Sequence, residues 1–264
     1  MKNTIYGVVG KGKLGSLLLE RSGFVYLPGD ITSLDQVKYM KAHMFPNVDV
    51  VVNCAAISSI DACEAGPHLA SEVNVRGTMN LVEVFGSRVL SISSDQVFGG
   101  GWILPKENSN YSPINVYGMT KAVAEQIANG AGAKTIRLSR TVDLRDSDMG
   151  IIYDHLREHR DIAVPTFFYR NYLTRSQAVD GIEYAARHFN ELPSVVNYGG
   201  LDNVSMYELV RRVFQKYLPL HSLRKQTKYD SNLSPRPKRG GFNVSLAKKL
   251  GFPMYNLDDV VGGL

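Results

Sequence analysis

The chain has 264 residues, 44% hydrophobic and 21% charged, enough apolar content for one large domain or one and a half and too much for a disordered chain. Net charge is +5, from 30 Lys and Arg against 25 Asp and Glu, and the excess falls late, at Arg224, Lys225, Lys228, Arg236, Lys238, Arg239, Lys248 and Lys249. That run reads either as a solvated basic face or as attraction for an anionic small molecule such as a diphosphate; no recognisable module for nucleic acid accompanies it.

In chain order, Thr4 to Val9 reads as a short buried strand entered directly from Met1-Lys2-Asn3. Gly10 to Gly15 follows, then a helix from Ser16 to Arg21 closed by Gly23, and a strand from Phe24 to Leu27. Leu34 to Met44 reads as helix, Val48 to Asn53 as a β-branched strand, Pro67 to Phe85 as a long helix, and Val89 to Ser93 as strand. Pro113 to Asn129 is helical in pattern and Lys134 to Leu138 is a further strand. Strands alternating with helices of this size predict a parallel sheet covered on both faces, an α/β fold. The alternation breaks after about residue 143, leaving short apolar segments, a helix from Ser205 to Tyr217 and a Pro/Arg-rich loop from Ser234 to Gly241. Neither a signal peptide nor a membrane-length apolar run is read, so a soluble protein of a reducing, cytoplasmic compartment without membrane contact is expected. Cys54 and Cys63 have no metal-ligand spacing, and no metal is expected.

Gly10-x-Gly12-x-x-Gly15 follows a strand and opens a helix. In that context the glycines permit a tight turn and close approach of a pyrophosphate, and the helix N-terminus offers unpaired N–H groups. A nicotinamide dinucleotide is the expected cofactor, on a Rossmann-type doubly wound parallel sheet, with Lys11, Lys13 and Leu14 in the same loop. Asp30 stands at the distance expected of the acid that holds a ribose 2′-hydroxyl. Alternatively Gly29-Asp30-Ile31-Thr32-Ser33 is a loop beside adenine, and Lys11 and Lys13 then favour a 2′-phosphate or face solvent. NADPH is slightly favoured over NADH.

Tyr117 and Lys121 lie four residues apart, one helical turn, with Ser93-Ser94-Asp95 upstream. A free phenol has a pKa near ~10, and a neighbouring ammonium brings it toward the working range. A serine hydroxyl can then hold a carbonyl, which equips the chain to reduce a ketone or oxidise an alcohol.

Together these residues resemble the extended short-chain dehydrogenase/reductases, and within them the dTDP-4-dehydrorhamnose reductase-like proteins, over most of the chain. The resemblance rests on Asn53-Cys54-Ala55-Ala56 with Ser58, Asp61 and Glu64; on Asn74-x-x-Gly77-Thr78-x-Asn80-Leu81; and on Ser93-Ser94-Asp95-Gln96-Val97-Phe98. It continues through Asn115-Val116-Tyr117-Gly118-Met119-Thr120-Lys121 and the late Arg236-Pro237 with Leu246 and Leu250. It implies NAD(P)H-dependent reduction of a keto group on a nucleotide-linked sugar. Tyr117 would be proton donor, Lys121 its pKa-lowering partner and ribose contact, and Ser94 the carbonyl-positioning hydroxyl. Asn74 would brace the site. Cys54, Ala55, Ala56, Ser93 and Ile31 would join the cofactor contacts, and Ser58, Ser94, Asp95, Gln96, Arg140 and Arg236 the substrate contacts. The dinucleotide-binding domain would take 1–143, with 170–198 returning to it, and a smaller C-terminal substrate-binding lobe 144–169 and 199–264. A homodimer is the expected assembly.

Three departures stand out. Gln96 replaces the family's Tyr, Arg140 replaces its sugar-stacking Trp, and Tyr169 to Thr174 alters its Pro-Thr loop. Arg140 either pairs with Asp143 or Asp95 or binds an acidic or more polar sugar. Two other readings stand beside the reductase. One is an NAD-dependent epimerase or dehydratase, although dehydratases carry an acidic pair where this chain has Asp95-Gln96. The other is a non-catalytic, cofactor-binding regulatory subunit.

Overall fold

The computed structural model describes residues 4–44, 46–101, 103–215, 222–228 and 234–264. Its order is β1 (Tyr6–Val9), α1 (Lys13–Leu18), β2 (Phe24–Tyr26), α2 (Leu34–Tyr39), β3 (Val50–Asn53), α3 (Ile60–Ala65), α4 (Pro67–Ser71), α5 (Gly77–Phe85), β4 (Val89–Ser94), α6 (Val116–Gly130) and β5 (Lys134–Leu138). Then come β6 (Thr141–Val142), α7 (Ser147–Arg157), β7 (Ile162–Pro165), β8 (Tyr169–Arg170), β9 (Leu173–Thr174), α8 (Arg175–Arg187) and β10 (Val195–Tyr198). The chain ends through β11 (Val204–Ser205), α9 (Met206–Phe214), β12 (Leu223–Gln226), α10 (Ser245–Lys249) and α11 (Leu257–Gly262).

Six strands form one parallel sheet in the order β10-β5-β4-β3-β1-β2. β1 and β3 are buried along their whole length, as strands covered on both faces must be. The chain runs from β1 outward to β2, then returns to the other side of β1 to make β3. That reversal opens a crevice at the carboxyl ends of β1 and β3, where doubly wound sheets bind ligands. The loops after β1, β3, β4 and β5 all empty there. A second apolar core, containing Met149, Leu156, Tyr172, Leu209, Phe214 and Val260, lies among α7, α9 and α11.

Several boundaries differ from the sequence reading for local reasons. α1 starts at Lys13, with Gly12 as its cap, and ends at Leu18, earlier at both ends than the expected Ser16 to Arg21. The Asn115 side chain accepts the Gly118 N–H at 2.7 Å, which starts α6 at Val116 and leaves Pro113 outside. The helical path from Pro67 to Phe85 widens into a π turn over Glu72–Arg76, and that turn holds Asn74. Leu34 to Met44 likewise ends in a π turn, Met40–Met44. Beyond residue 143 the chain forms α7, α8 and the sixth sheet strand, β10, beside the shorter segments. α8 is opened by a capping box in which Thr174 and Gln177 satisfy each other's backbone N–H groups. α9 covers Met206–Phe214; the expected end at Tyr217, like Met1-Lys2-Asn3, lies outside the described residues.

Candidate active site

The glycines of the first loop divide their tasks. Gly10 has φ of +88°, and a Cβ there would sit 2.5 Å from the Ala55 nitrogen. A Cβ on Gly15 would strike the Gly10 carbonyl oxygen. Both are therefore demanded by the packing of β1, α1 and the loop after β3. A Cβ on Gly12 would meet nothing within 4 Å, so at the start of α1 the missing side chain leaves a clear approach to the backbone. That cradle fits a dinucleotide pyrophosphate. Leu14 packs against the core behind the loop. Lys11 lies over the Tyr26 ring at 5.2 Å, and Lys13 is held by Asp146 at 2.6 Å.

β2 ends at Tyr26, which puts Asp30 in the loop beyond it. The Asp30 carboxylate is turned back on Thr32, accepting from its N–H at 2.9 Å and its hydroxyl at 2.8 Å. Ile31 is buried against Gly77, and Asn80 donates to the carbonyls of Ile31 and Thr32. On the other wall, Asn53 accepts the Ala55 N–H and donates to Thr78. Asn74 accepts the Ile57 N–H at 2.9 Å and donates to the Ile57 carbonyl and to Thr120, whose hydroxyl bonds the Tyr117 carbonyl. One amide side chain thus ties the loop after β3 to the helix of Tyr117. Cys54 is half-buried in this loop, while Ala56 and Ser58 are exposed at its rim.

Tyr117 and Lys121 share a face of α6, and Ser94 at the end of β4 comes near enough to the phenol to act on its ionisation. Burial pushes the Tyr117 phenol above its ordinary value. Ser94 opposes that shift, and the Asp95 carboxylate and the Cys63 thiol add to it. The lowering influence comes from Ser94, whereas the sequence reading assigned it to Lys121. The Lys121 ammonium, 4% exposed, is itself pushed down to about 8 by burial, against the pull of Glu125, Cys54 and Cys63. Burial also raises the Cys54 thiol to about 12, which leaves it a poor nucleophile.

Asp95, 3% exposed, accepts from Ser94 at 3.3 Å and from Gln96 at 3.1 Å and pairs with Arg170 at 3.0 Å. Gln96 is locked inside, accepting in turn from Asn115. The Ser93 hydroxyl is buried without a hydrogen-bond partner. Arg140 is exposed and pairs with Asp148 of α7, not with Asp143 or Asp95. Those two acids are taken by other arginines, Asp143 by Arg145 and Arg175, and Asp95 by Arg170. Arg236 pairs with Asp61 at the start of α3 at 2.7 Å, and Ser234 donates to the same carboxylate, holding it below its usual range. Arg236 also lines a cleft of about 460 Å³ with Lys238, Arg239, Phe167, Ile114 and Gly99 to Gly101. Arg170, Asp146 and Asp148 carried no motif or spacing signal, because each meets its partner only through the fold. Among the described residues no cluster of metal-ligating side chains occurs, and no helix is long and apolar enough to cross a membrane.

The family profile described as "RmlD substrate binding domain" matches residues 5–161, from β1 through α7. The chain belongs to the RmlD substrate binding domain family. Among sequence relatives, methionine adenosyltransferase 2 subunit beta of Xenopus laevis is 26% identical over 216 residues, covering 76% of this chain and 65% of that protein's length. A dTDP-4-dehydrorhamnose reductase of Aggregatibacter actinomycetemcomitans is 33% identical over 141 residues, which is 50% of this chain and 47% of the relative. Among solved structures, dTDP-4-dehydrorhamnose reductase of Bacillus anthracis in complex with NADP superposes with a TM-score of 0.87 at 20% identity, over 99% of this chain and 98% of that one. The RmlD-type α/β fold therefore continues among the described residues beyond residue 161.

Proposed function

We propose that the chain is an NAD(P)H-dependent reductase of a keto group on a nucleotide-linked sugar. The observation that carries this reading is the placement of Tyr117, Lys121 and Ser94 at the carboxyl ends of the sheet, beside a glycine loop with a clear approach at Gly12. Relatives named dTDP-4-dehydrorhamnose reductase support it. Gly10, Lys11, Gly12, Lys13, Leu14, Gly15, Asp30, Ile31, Cys54, Ala55, Ala56 and Ser93 would form the dinucleotide site, with Tyr117 and Lys121 at its reactive end. When bound, a nicotinamide supplies the hydride. The Ser94 hydroxyl holds the substrate carbonyl oxygen, and the Tyr117 hydroxyl gives that oxygen its proton as negative charge develops on it. Lys121, one turn further along α6, would hold the nicotinamide ribose through its ammonium. NADPH is favoured because β2 ends without an acid and the Asp30 carboxylate is occupied by Thr32.

The substrate lobe would comprise 144–169 and 199–264. Its cationic cleft, with Arg236 and an aromatic wall at Phe167, suits a nucleoside diphosphate. Ser58, Asp95, Gln96 and Arg140 belong to its surroundings, Asp95 and Gln96 from beneath the surface. A homodimer fits the apolar side chains of Met79, Met119 and Val123, left exposed on the adjacent α5 and α6. The two free cysteines suit a reducing cytoplasm. The deciding experiment follows NADPH oxidation with a panel of nucleotide-linked keto sugars. Turnover by the wild type that Tyr117→Phe abolishes supports the reading, and binding of NADPH without turnover of any keto sugar overturns it. A second reading, a cofactor-binding subunit of a larger assembly, draws on the relatives named methionine adenosyltransferase 2 subunit beta, and that second outcome would favour it.

A further inference from the structure

Asp95 is a buried carboxylate one residue beyond Ser94, and its two oxygens face different groups. Oδ1 accepts from the Ser94 hydroxyl at 3.3 Å and the Gln96 amide at 3.1 Å. Oδ2 lies 3.0 Å from Arg170 Nε, without the alignment of a hydrogen bond, so this is a contact of charges. Arg170 is 5% exposed and comes from β8, far along the chain. Its guanidinium is fixed from two further sides. Nη1 donates to the Tyr169 carbonyl at 2.6 Å, and Gly240 packs on it so closely that a Cβ there would collide with it. Other cations of this end of the sheet have their own partners or lie elsewhere: Arg140 pairs with Asp148, and Arg236 with Asp61.

Resting on the reductase reading, we propose that Arg170 is a positioning residue of the reaction. It neutralises Asp95 behind the Ser94–Tyr117 pair, so that the oxygen gaining negative charge meets two hydroxyls and not a bare carboxylate beneath them. The groups that act on the Tyr117 phenol are Ser94 and Asp95 from the end of β4 and Cys63 from α3, while Lys121, further along the same helix, is surrounded by Glu125, Cys54 and Cys63. Asp95 is the carboxylate among those that act on the phenol, and it hinders the phenol's ionisation. An uncompensated charge there would also draw the Ser94 proton away from the substrate. Gln96 and Ser94 hold only Oδ1, so the work at Oδ2 falls to Arg170.

The test uses the full chain with Arg170→Gln, Arg170→Lys and the pair Asp95→Asn/Arg170→Gln. Arg170→Gln should lower kcat about ten- to a hundredfold, less than loss of a direct oxyanion donor typically costs, with the dissociation constant for NADPH unchanged. Arg170→Lys should restore most of the rate. The pair, which removes both charges and keeps a hydrogen-bonding side chain for Ser94, should also recover most of it. A paired variant no faster than Arg170→Gln would show that Arg170 merely packs the Gly240 loop, and would overturn the proposal. Thermal melts without cofactor give a second readout. In Arg170→Gln, Asp95 is buried and unpaired, so Tm should fall below that of the wild type, and the paired variant should recover most of the loss. A paired variant with a Tm no higher than that of Arg170→Gln would also overturn the proposal. If Arg170→Gln does not fold, Asp95→Asn alone and the paired variant decide: with Asp95 already uncharged, removing Arg170 should cost no further kcat, and a paired variant slower than Asp95→Asn would overturn the proposal. If the wild type reduces no keto sugar, the reductase reading fails and the positioning role falls with it, whatever the melts show about the ion pair.

Discussion

Glu125→Gln is expected to destabilise the protein far more than a surface charge change. Arg137 and Glu125 are buried, and Arg137 Nη2 lies 2.5 Å from Glu125 Oε1 while Nε reaches both carboxylate oxygens at 3.0 and 3.1 Å. Tyr111 donates to the same carboxylate at 2.8 Å, and the guanidinium lies over the Phe98 and Tyr111 rings. Breaking such a pair by removing one partner costs about 3–5 kcal/mol, because the other charge is left in low dielectric. The lower end applies here, since Arg137 keeps the Glu107 carbonyl and Asn197 as acceptors. Unfolding entropy of roughly 2.1 cal/mol/K per residue gives ~0.55 kcal/mol/K for this chain, so ~3 kcal/mol lowers Tm by ~5 °C. Calorimetry at neutral pH measures it. Exchanging both for apolar residues, Glu125→Leu with Arg137→Met, should recover most of the loss. A drop in Tm below about 1 °C for Glu125→Gln, or a double variant no better than the single, would refute the reasoning.

Tyr117→Phe preserves the ring and should lower kcat by about 10²–10⁴ with cofactor affinity kept; stopped-flow NADPH oxidation measures the first and fluorescence titration the second. Lys121→Met should weaken both turnover and cofactor binding, and its effect on stability should depend on pH. Burial holds Lys121 at about 8 in the folded chain, below ~10.4 in the unfolded one, so between these values the unfolded chain binds more protons and this group's contribution to stability rises with pH. The wild type should therefore gain on Lys121→Met across that window, by a difference on the order of 3 kcal/mol, and a difference in Tm constant with pH would contradict the burial of a charged Lys121. Gly12→Val should fold normally yet bind NADPH poorly, whereas Gly15→Val should lose Tm because its Cβ meets the Gly10 carbonyl; normal affinity in Gly12→Val would remove the dinucleotide from this loop. NADPH should bind more tightly than NADH, and a tenfold preference for NADH, about 1.4 kcal/mol, would return Asp30 to the ribose.

The sheet was legible because its strands announce themselves locally. Val50 to Asn53 has a β-branched pattern that needs no distant partner to be read, and Lys134–Leu138 was placed to the residue. The boundaries that slipped are those set by a single side chain or turn. Asn115, not Pro113, decides where α6 begins, and it does so through one hydrogen bond to Gly118. After residue 143 the apolar residues of α7 serve a small second core with α9 and α11, so its pattern is short and weak, and β10 declares itself as a sheet strand only by pairing with β5.

The candidate site divides along the same line. Tyr117 and Lys121 are one turn apart on one helix, and Gly10, Gly12 and Gly15 occupy one loop, so spacing alone brings each set together. The electrostatics do not obey spacing. For Arg140 the sequence offers a pairing with Asp143 or Asp95 or a contact to a polar sugar; of its acidic neighbours it takes neither of those two but Asp148, from the first turn of α7. That leaves Asp95 for Arg170, which arrives from β8 under Gly240, and leaves Lys13 of the glycine loop for Asp146, which Arg175 also grips. Each of these choices links the sheet to a segment beyond residue 143. The later part of the chain thus fixes the charges around Ser94, Tyr117 and the glycine loop, although it carries neither motif, and substitutions at Arg170 or Asp146 should act on a site whose recognisable residues they leave intact.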